Sequence, residues 1–493
     1  MKITYNGFDE NLLFEGLILP YFQDHEVDYG GVTLLNNNKL PIQYLKDKEL
    51  FLGKKGEVHS ISFSDGDRNL DVMLIGLGKK EELTGNVLRK AVGKGYRELK
   101  KKKPTSIGVY LNHVVEGLKC SYAIGRNTAE AIVMTDYKFD SYKTDNKKEL
   151  LEEVTLLFDG IDEEFKNGFE EGISIGNSTI LARVLVNEPA NVLTPTDLAE
   201  RVKNLGVEKG FEVEVYELEK IQELKMESYL SVAKGSAEPP KFIIMRYTGN
   251  PGGETLGLVG KGLTYDSGGL SIKPTKSMNT MKNDMGGASA VIGAMSAIAE
   301  NKLKVNVTAV VAACENMISG RSYKPGDIIG SMGGKTIFIG NTDAEGRLTL
   351  IDAMYYIVNH EKVAKVVDIA TLTGAAIHCL GHTATVGIGN DDEFFDMIDK
   401  SFNKAGENIW RMPIFEEYKE LVKHSEADLT NVAGSPGTIT AGIFVGEFAG
   451  DIPWIHLDIA GTAWAEKDKD YISKGGTGVG VRSLYYLAKE MAE

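Results

Sequence analysis

Apolar residues recur along the chain with two spacings. From about Gly85 to Leu99, Asp162 to Val186, Ala288 to Ala299 and Leu348 to Val358 they return every three or four residues, the pattern of a helix with one apolar face. Short β-prone runs stand between them. Val72 to Ile75 and Ser106 to Leu111 come first, then Phe211 to Tyr216, Phe242 to Tyr247, Leu256 to Gly260, Val305 to Ala313, Val363 to Thr371 and Trp454 to Asp458. Such alternation predicts an α/β fold with a central, mostly parallel sheet flanked by helices.

A chain of 493 residues is too long for one compact core, so two domains of unequal size are expected. The predicted division is a smaller N-terminal α/β domain over residues 1–161, a connecting helix over 162–186 and a larger C-terminal domain over 187–493. The proline-punctuated stretch NEPANVLTP at 187–195 ends the connecting helix.

Composition narrows the function classes. Hydrophobic residues make up 42% and charged residues 25%, an ordinary globular balance, and 55 glycines point to many tight turns. A formal net charge of -15 argues against nucleic acid or an anionic membrane as the main partner, since phosphate binding needs a concentrated positive surface. The one basic run, Lys100 to Lys103 before Pro104, reads as a solvated helix end. No run approaches the ~18 apolar residues of a membrane span, and the opening MKITYNGFDENLLFEG has no basic segment leading into an apolar core. Cys120, Cys314 and Cys379 are isolated thiols, which fits a reducing compartment. A cytoplasmic location is the expectation.

Three segments carry candidate chemistry. NTDAEGRL at 341–348 sets Asp343, Glu345 and Arg347 at alternate positions between the β-prone run Lys335 to Ile339 and a helix. In open α/β sheets such turns bind ligands. VGKGLTYDSGGLSIKP at 259–274 offers Lys261, Asp266 and Lys273 in a glycine-rich loop, and MKNDMGGASAV places Asp284 before a small-residue helix. Asp266, Asp284, Asp343 and Glu345 together could hold two divalent cations that share bridging oxygens. Each residue alone has a plainer reading: Asp284 as a helix N-cap, Asp266 as a turn former, Glu345 as a complement to a helix dipole, Arg347 as its surface partner, and the lysines as solvated charges. Gly76-Leu-Gly78 and GGTGVGVRSL at 475–484 read as structural turns rather than phosphate loops.

VGKGLTYDSGG, the SIKP that follows it, MKNDMGG and NTDAEGRL, in this order and at this spacing, resemble the metal-binding segments of the leucyl aminopeptidase family, the cytosolic two-zinc exopeptidases of the M17 type. NEPANVLTP resembles the start of that family's catalytic domain. The resemblance covers roughly residues 180–490 in motif order, and the N-terminal part matches in size and position, which implies a macro-like domain. It further implies two divalent metal ions per subunit, zinc or manganese. One would be bound by Lys261, Asp266, Asp284 and Glu345, the other by Asp266, Asp343 and Glu345 with the Asp343 carbonyl. A lysine ligand must be a neutral amine, so the cations must depress its pKa well below the ordinary ~10.4.

By the same resemblance the chain releases N-terminal amino acids from peptides, preferring Leu- or Met-like apolar residues, by attack of a metal-bridging hydroxide. Lys273 would polarise the carbonyl, and Arg347 would hold a bicarbonate that serves as base. Met281, Thr371, Leu372, Gly374, Ala460 and Ala463 would line the side-chain pocket, and the assembly would be a homohexamer. Two other readings share these residues or this scaffold: a two-metal phosphoesterase, and a DNA-binding architectural protein, which the acidic balance disfavours.

Overall fold

Two α/β units make up the chain in a computed structural model that describes residues 1–8, 13–24, 40–64, 66, 68–144 and 150–492. One unit comprises residues 1–177 and 467–474, the other 178–466 and 475–493. The division falls inside the long helix Glu163–Asn187, so the segment read as a connector contributes to both units. Residues 467–474 return to the first unit late in the chain, which no local pattern announces.

In the first unit, strands β1 (Lys2–Asn6), β2 (Gly16–Phe22), β3 (Val58–Ser64), β4 (Asn69–Gly78), β5 (Ser106–Tyr110) and β6 (Glu153–Leu157) form one sheet in the order β1-β6-β5-β2-β4-β3. All neighbours are parallel except β3 and β4. The helix Gly85–Lys100 starts where the Thr84 hydroxyl accepts from the Val87 N–H, and its buried stripe of Leu88, Val92, Tyr96 and Leu99 joins the core on one face of the sheet. Gly76 and Gly78 lie on β4 itself, not in a turn, and a Cβ on Gly76 would strike the Lys54 carbonyl.

The second unit is built on strands β7 (Glu212–Tyr216), β8 (Lys241–Thr248), β9 (Thr255–Asp266), β10 (Asn306–Asn316), β13 (Lys365–Ala370), β14 (Thr385–Gly389), β15 (Ile409–Arg411) and β17 (Trp454–Asp458). Their order is β15-β14-β17-β13-β9-β10-β8-β7, with β17, β13, β9 and β10 a parallel centre and antiparallel strands toward both edges. The numbers between belong to β11 (Ile328–Ile329), β12 (Ile337–Phe338) and β16 (Leu429–Thr430), which make a separate three-stranded sheet. The run Lys335 to Ile339 is therefore not a strand of the central sheet. It contributes only β12, paired with β11 and β16.

Strand β9 corrects a second expectation. It does not end at Gly260 but runs on to Asp266, so Lys261 and Asp266 sit on a strand rather than in a glycine-rich loop. Pairing with β10 along its whole length holds it extended. Its glycines instead serve packing: a Cβ on Gly260 would lie 2.7 Å from Ala288 Cα, so the small-residue helix Gly286–Glu300 seats directly against the strand. Because side chains alternate across a sheet, Lys261 shares a face with Val259 and Leu263. Val259 and Leu263 belong to the core that Leu348, Ile351 and Met354 of the helix Gly346–Asn359 complete.

Candidate metal centre and active site

The parallel centre of the sheet ends in polar residues. Asp266 closes β9, Asn316 closes β10, Asp458 closes β17, and Thr371 follows β13. Strand carboxyl ends are where open α/β sheets place ligands. Two excursions deliver the remaining charges. The turn Met281–Met285 carries Asp284, and the loop after β12 carries Asp343 and Glu345 into the helix Gly346–Asn359.

These residues meet in one buried cluster. Lys261 Nζ lies 2.8 and 2.7 Å from the two oxygens of Asp284 and 2.9 Å from Glu345 Oε1, and it donates to the Thr371 carbonyl at 3.0 Å. Lys273 Nζ spans Asp266 Oδ2 at 2.8 Å and Asp343 Oδ1 at 2.5 Å. Asp266 Oδ1 accepts from Asn316 Nδ2 and from the Gly268 N–H, both at 2.8 Å. Thr371 Oγ1 donates to Asp284 Oδ1 at 2.8 Å. Asp266, Asp343 and Glu345 each offer an oxygen within 4.8 Å of the others.

The plainer readings of single residues give way here. Met285, not Asp284, occupies the N-cap of the small-residue helix, and Glu345 makes no side-chain capping bond at the head of its own. Lys261, Arg347 and the Lys273 side chain are largely removed from solvent. Asp266 keeps a turn-forming bond to Gly268 in addition to its place in the cluster.

Electrostatics favours a cation. Four carboxylates and two ammonium groups leave a formal charge of −2, with Lys261, Asp266, Asp284 and Glu345 buried and Asp343 on the side open to solvent. Burial pushes the carboxyls of Asp284 and Glu345 upward, and burial together with the neighbouring Glu345 charge pushes Asp266 up to about 6. Burial opposes the Lys261 charge, yet Asp284, Glu345 and Asp266 outweigh it and hold the ammonium above its ordinary range. Among the protein's own groups the sign is therefore opposite to what a lysine ligand needs, and a cation must displace that proton. Glu345 Oε2 is buried with no hydrogen-bond partner, an acceptor position open to a positive ion. The donor set, hard oxygens and one amine, fits divalent metal.

Arg347 stands beside this cluster with a different environment. Burial lowers its guanidinium to about 10 while Glu345 and Asp458 favour its charge, and its Nε is buried without a hydrogen-bond partner. An unsatisfied buried donor of this type suits a small anion.

Of the six residues expected to line a side-chain pocket, Thr371 and Ala463 meet around Gly286. A Cβ on Gly286 would lie 3.2 Å from Thr371 Cγ2 and 3.5 Å from Ala463 Cβ. Leu372 and Ala460 meet at Asp458, to which both donate backbone N–H groups at 3.1 Å. Gly374 opens the helix Gly374–Leu380 with free space where its Cβ would be. Met281 is placed by its short turn rather than by a hydrogen bond to either pair.

Sequence reasoning missed three participants. Asn316 bridges Asp266 and the Thr342 carbonyl, and Tyr323 donates to the same carbonyl at 2.8 Å, which orients the loop ahead of Asp343. Asp458 organises the pocket loops. The signal for Asn316 and Asp458 was a polar residue at the carboxyl end of a largely buried strand.

Comparison with known proteins agrees with this geometry. Residues 180–485 match the model of the cytosol aminopeptidase family catalytic domain, and residues 18–146 match the N-terminal domain of the same family. A probable cytosol aminopeptidase of Clostridium perfringens is 50% identical over 96% of each chain, and one of Alkaliphilus metalliredigens is 47% identical over 98% of this chain and 97% of its own. Among solved structures, a mutant of tomato leucine aminopeptidase superposes with a TM-score of 0.87 at 31% identity, covering 99% of this chain and 96% of that one. Bottromycin maturation enzyme BotP in complex with Mn gives a TM-score of 0.85 at 30% identity, covering 97% of this chain and 100% of its own. The chain thus belongs to the cytosol aminopeptidase family and is a metal-dependent aminopeptidase.

Proposed function

We propose that the cluster holds two divalent ions and that the chain releases apolar, Leu- or Met-like residues from peptide N-termini. Lys261, Asp266, Asp284 and Glu345 would hold one ion. Asp266, Asp343 and Glu345, with the Asp343 carbonyl, would hold the other. The observation that carries this reading is the charge arrangement: four carboxylates converge on two lysines, with Glu345 Oε2 left unpartnered. When bound, the ion pair supplies Lewis acidity, a water acidified toward neutrality and an anchor for a free α-amine.

The chain's own residues divide the remaining work. Asp266, Glu345 and Asp284 favour the Lys273 charge against its burial, and Lys273 would serve as a charged donor for the oxygen of a scissile carbonyl. Every carboxylate in the cluster is committed to metal in this reading. Arg347, with its unpartnered Nε, would hold a small anion such as bicarbonate, whose contribution is a proton acceptor. Thr371, Leu372, Gly374, Ala460, Ala463 and Met281 would bound the apolar side-chain pocket. By family likeness the assembly is a homohexamer and the location cytoplasmic. No helix among the described residues is long and apolar enough to cross a membrane.

The test pairs metal analysis with hydrolysis of leucyl anilides whose α-amine is free or acetylated. About two divalent ions per chain and turnover of the free amine alone are expected. Cleavage of the acetylated substrate at a comparable rate would overturn the amine anchor, and a single ion at saturation would overturn the two-ion site.

A further inference from the structure

Asp458 ends the central strand β17 and is 1% exposed. Its Oδ1 accepts from the N–H groups of Leu372 at 3.1 Å, Thr373 at 3.4 Å and Ala460 at 3.1 Å. Its Oδ2 accepts from the hydroxyls of Thr373 at 2.7 Å and Thr438 at 3.1 Å. A carboxylate has about four lone-pair positions, so five donors saturate it. They come from the loop after β13, the loop after β17 and the helix Gly437–Gly446.

The reach extends through Thr373. Its hydroxyl also accepts from the Ala376 N–H at 3.1 Å and caps the helix Gly374–Leu380, which fixes where Gly374 stands. One carboxylate therefore sets the spacing between the Leu372–Gly374 segment and Ala460. None of its hydrogen bonds goes to a proposed metal ligand. We infer that Asp458 is a positioning residue for side-chain selectivity, holding apart the two segments between which the substrate's N-terminal side chain is read. The inference rests on the pocket placement proposed above. An aspartate that merely stabilised the fold would affect all substrates alike.

The experiment compares kcat and KM for leucyl, methionyl and alanyl anilides in the wild type, Asp458→Ala, Asp458→Asn and Thr373→Val, with metal content measured for each. Asp458→Ala removes all five acceptor bonds. Asparagine offers one acceptor oxygen, and its NH2 must face either backbone N–H donors or the Thr373 hydroxyl, whose proton then has no acceptor. A pocket contact of this kind is worth ~10–200-fold in discrimination, so the Leu-to-Ala ratio of kcat/KM should fall about tenfold in Asp458→Ala and about threefold in Asp458→Asn, chiefly through KM for the leucyl substrate. Metal content should not change.

An even loss across the three substrates, or an unchanged ratio, overturns the inference. Should Asp458→Ala fail to fold, Asp458→Asn and Thr373→Val decide by the same ratio. A wild type that does not distinguish leucyl from alanyl substrate overturns the pocket placement itself. A selective wild type with equally selective variants overturns only the role of Asp458.

Discussion

Lys261 Nζ lies 2.9 Å from Glu345 Oε1, joining the middle of a strand to the head of the helix that covers it. Both side chains are nearly dry, at 3% and 1% exposure. Removing one partner of such a pair costs ~3–5 kcal/mol when the other charge stays buried and uncompensated. Asp284 and the Thr371 carbonyl also serve Lys261, so its charge has other support.

Glu345→Gln separates metal binding from folding. The amide oxygen can still accept from Lys261, whereas the carboxylate charge is gone. Bound metal, read by elemental analysis, should drop well below the wild-type content. The melting point of the chelated protein should move little. Wild-type metal content in this variant would exclude Glu345 as a ligand.

Metal binding should strengthen with pH. Asp266, pushed up to about 6, holds its proton more tightly in the folded chain than at the ordinary ~3.9 of the unfolded one. Its contribution to stability is full below that ordinary value and is lost as pH rises through about 6. The ionised carboxylate above that point is both costly and free to bind a cation. Lys261, held above its ordinary range, must also shed a proton to ligate, which acts in the same direction. The rise in Tm on adding zinc or manganese should be small at pH 5 and grow toward pH 8. Equal shifts at both would contradict the proton competition.

Arg347→Ala tests the anion position. Its guanidinium makes no hydrogen bond through Nε and contributes no metal ligand in the proposed set. The variant should keep its metals and lose about 10²–10³ in kcat, the scale of one charged stabilising group. Collapse of the metal content would instead assign Arg347 a structural role.

Gly346→Ala should act through Lys261. A Cβ at that position would come within 2.6 Å of Lys261 Nζ and closer still to the adjoining methylene. The lysine end is flexible, so the ammonium rather than the backbone must give way. We expect a folded protein with weakened metal binding, measurable by titration with a fluorescent chelator. By contrast, a Cβ on Gly287 would strike the Ile369 carbonyl, and Gly287→Ala should lower Tm itself.

How far the chain could be read depended on the range of the interaction. Trp454–Asp458 was legible as a strand to the residue, because tryptophan, isoleucine and leucine make a short β-prone run directly after Pro453. The helix Gly346–Asn359 was legible because its apolar positions repeat every turn. Strand β9 was cut short at Gly260, since glycine, lysine and aspartate weaken a local β signal. Pairing with β10 overrode it. Lys335 to Ile339 was legible only as β-prone, because such a run does not say which sheet it joins.

The sequence by itself determined the fold class, the order of most elements and the seven charged residues of the candidate centre, because periodicity and motif spacing are local properties of the chain. Only the tertiary structure decided who meets whom. Strand order set Asp458 beside the loop after β13, and alternation across β9 turned Lys261 toward the helix that Glu345 heads. Those contacts depend on register and layering between segments distant in the chain, which no local window records.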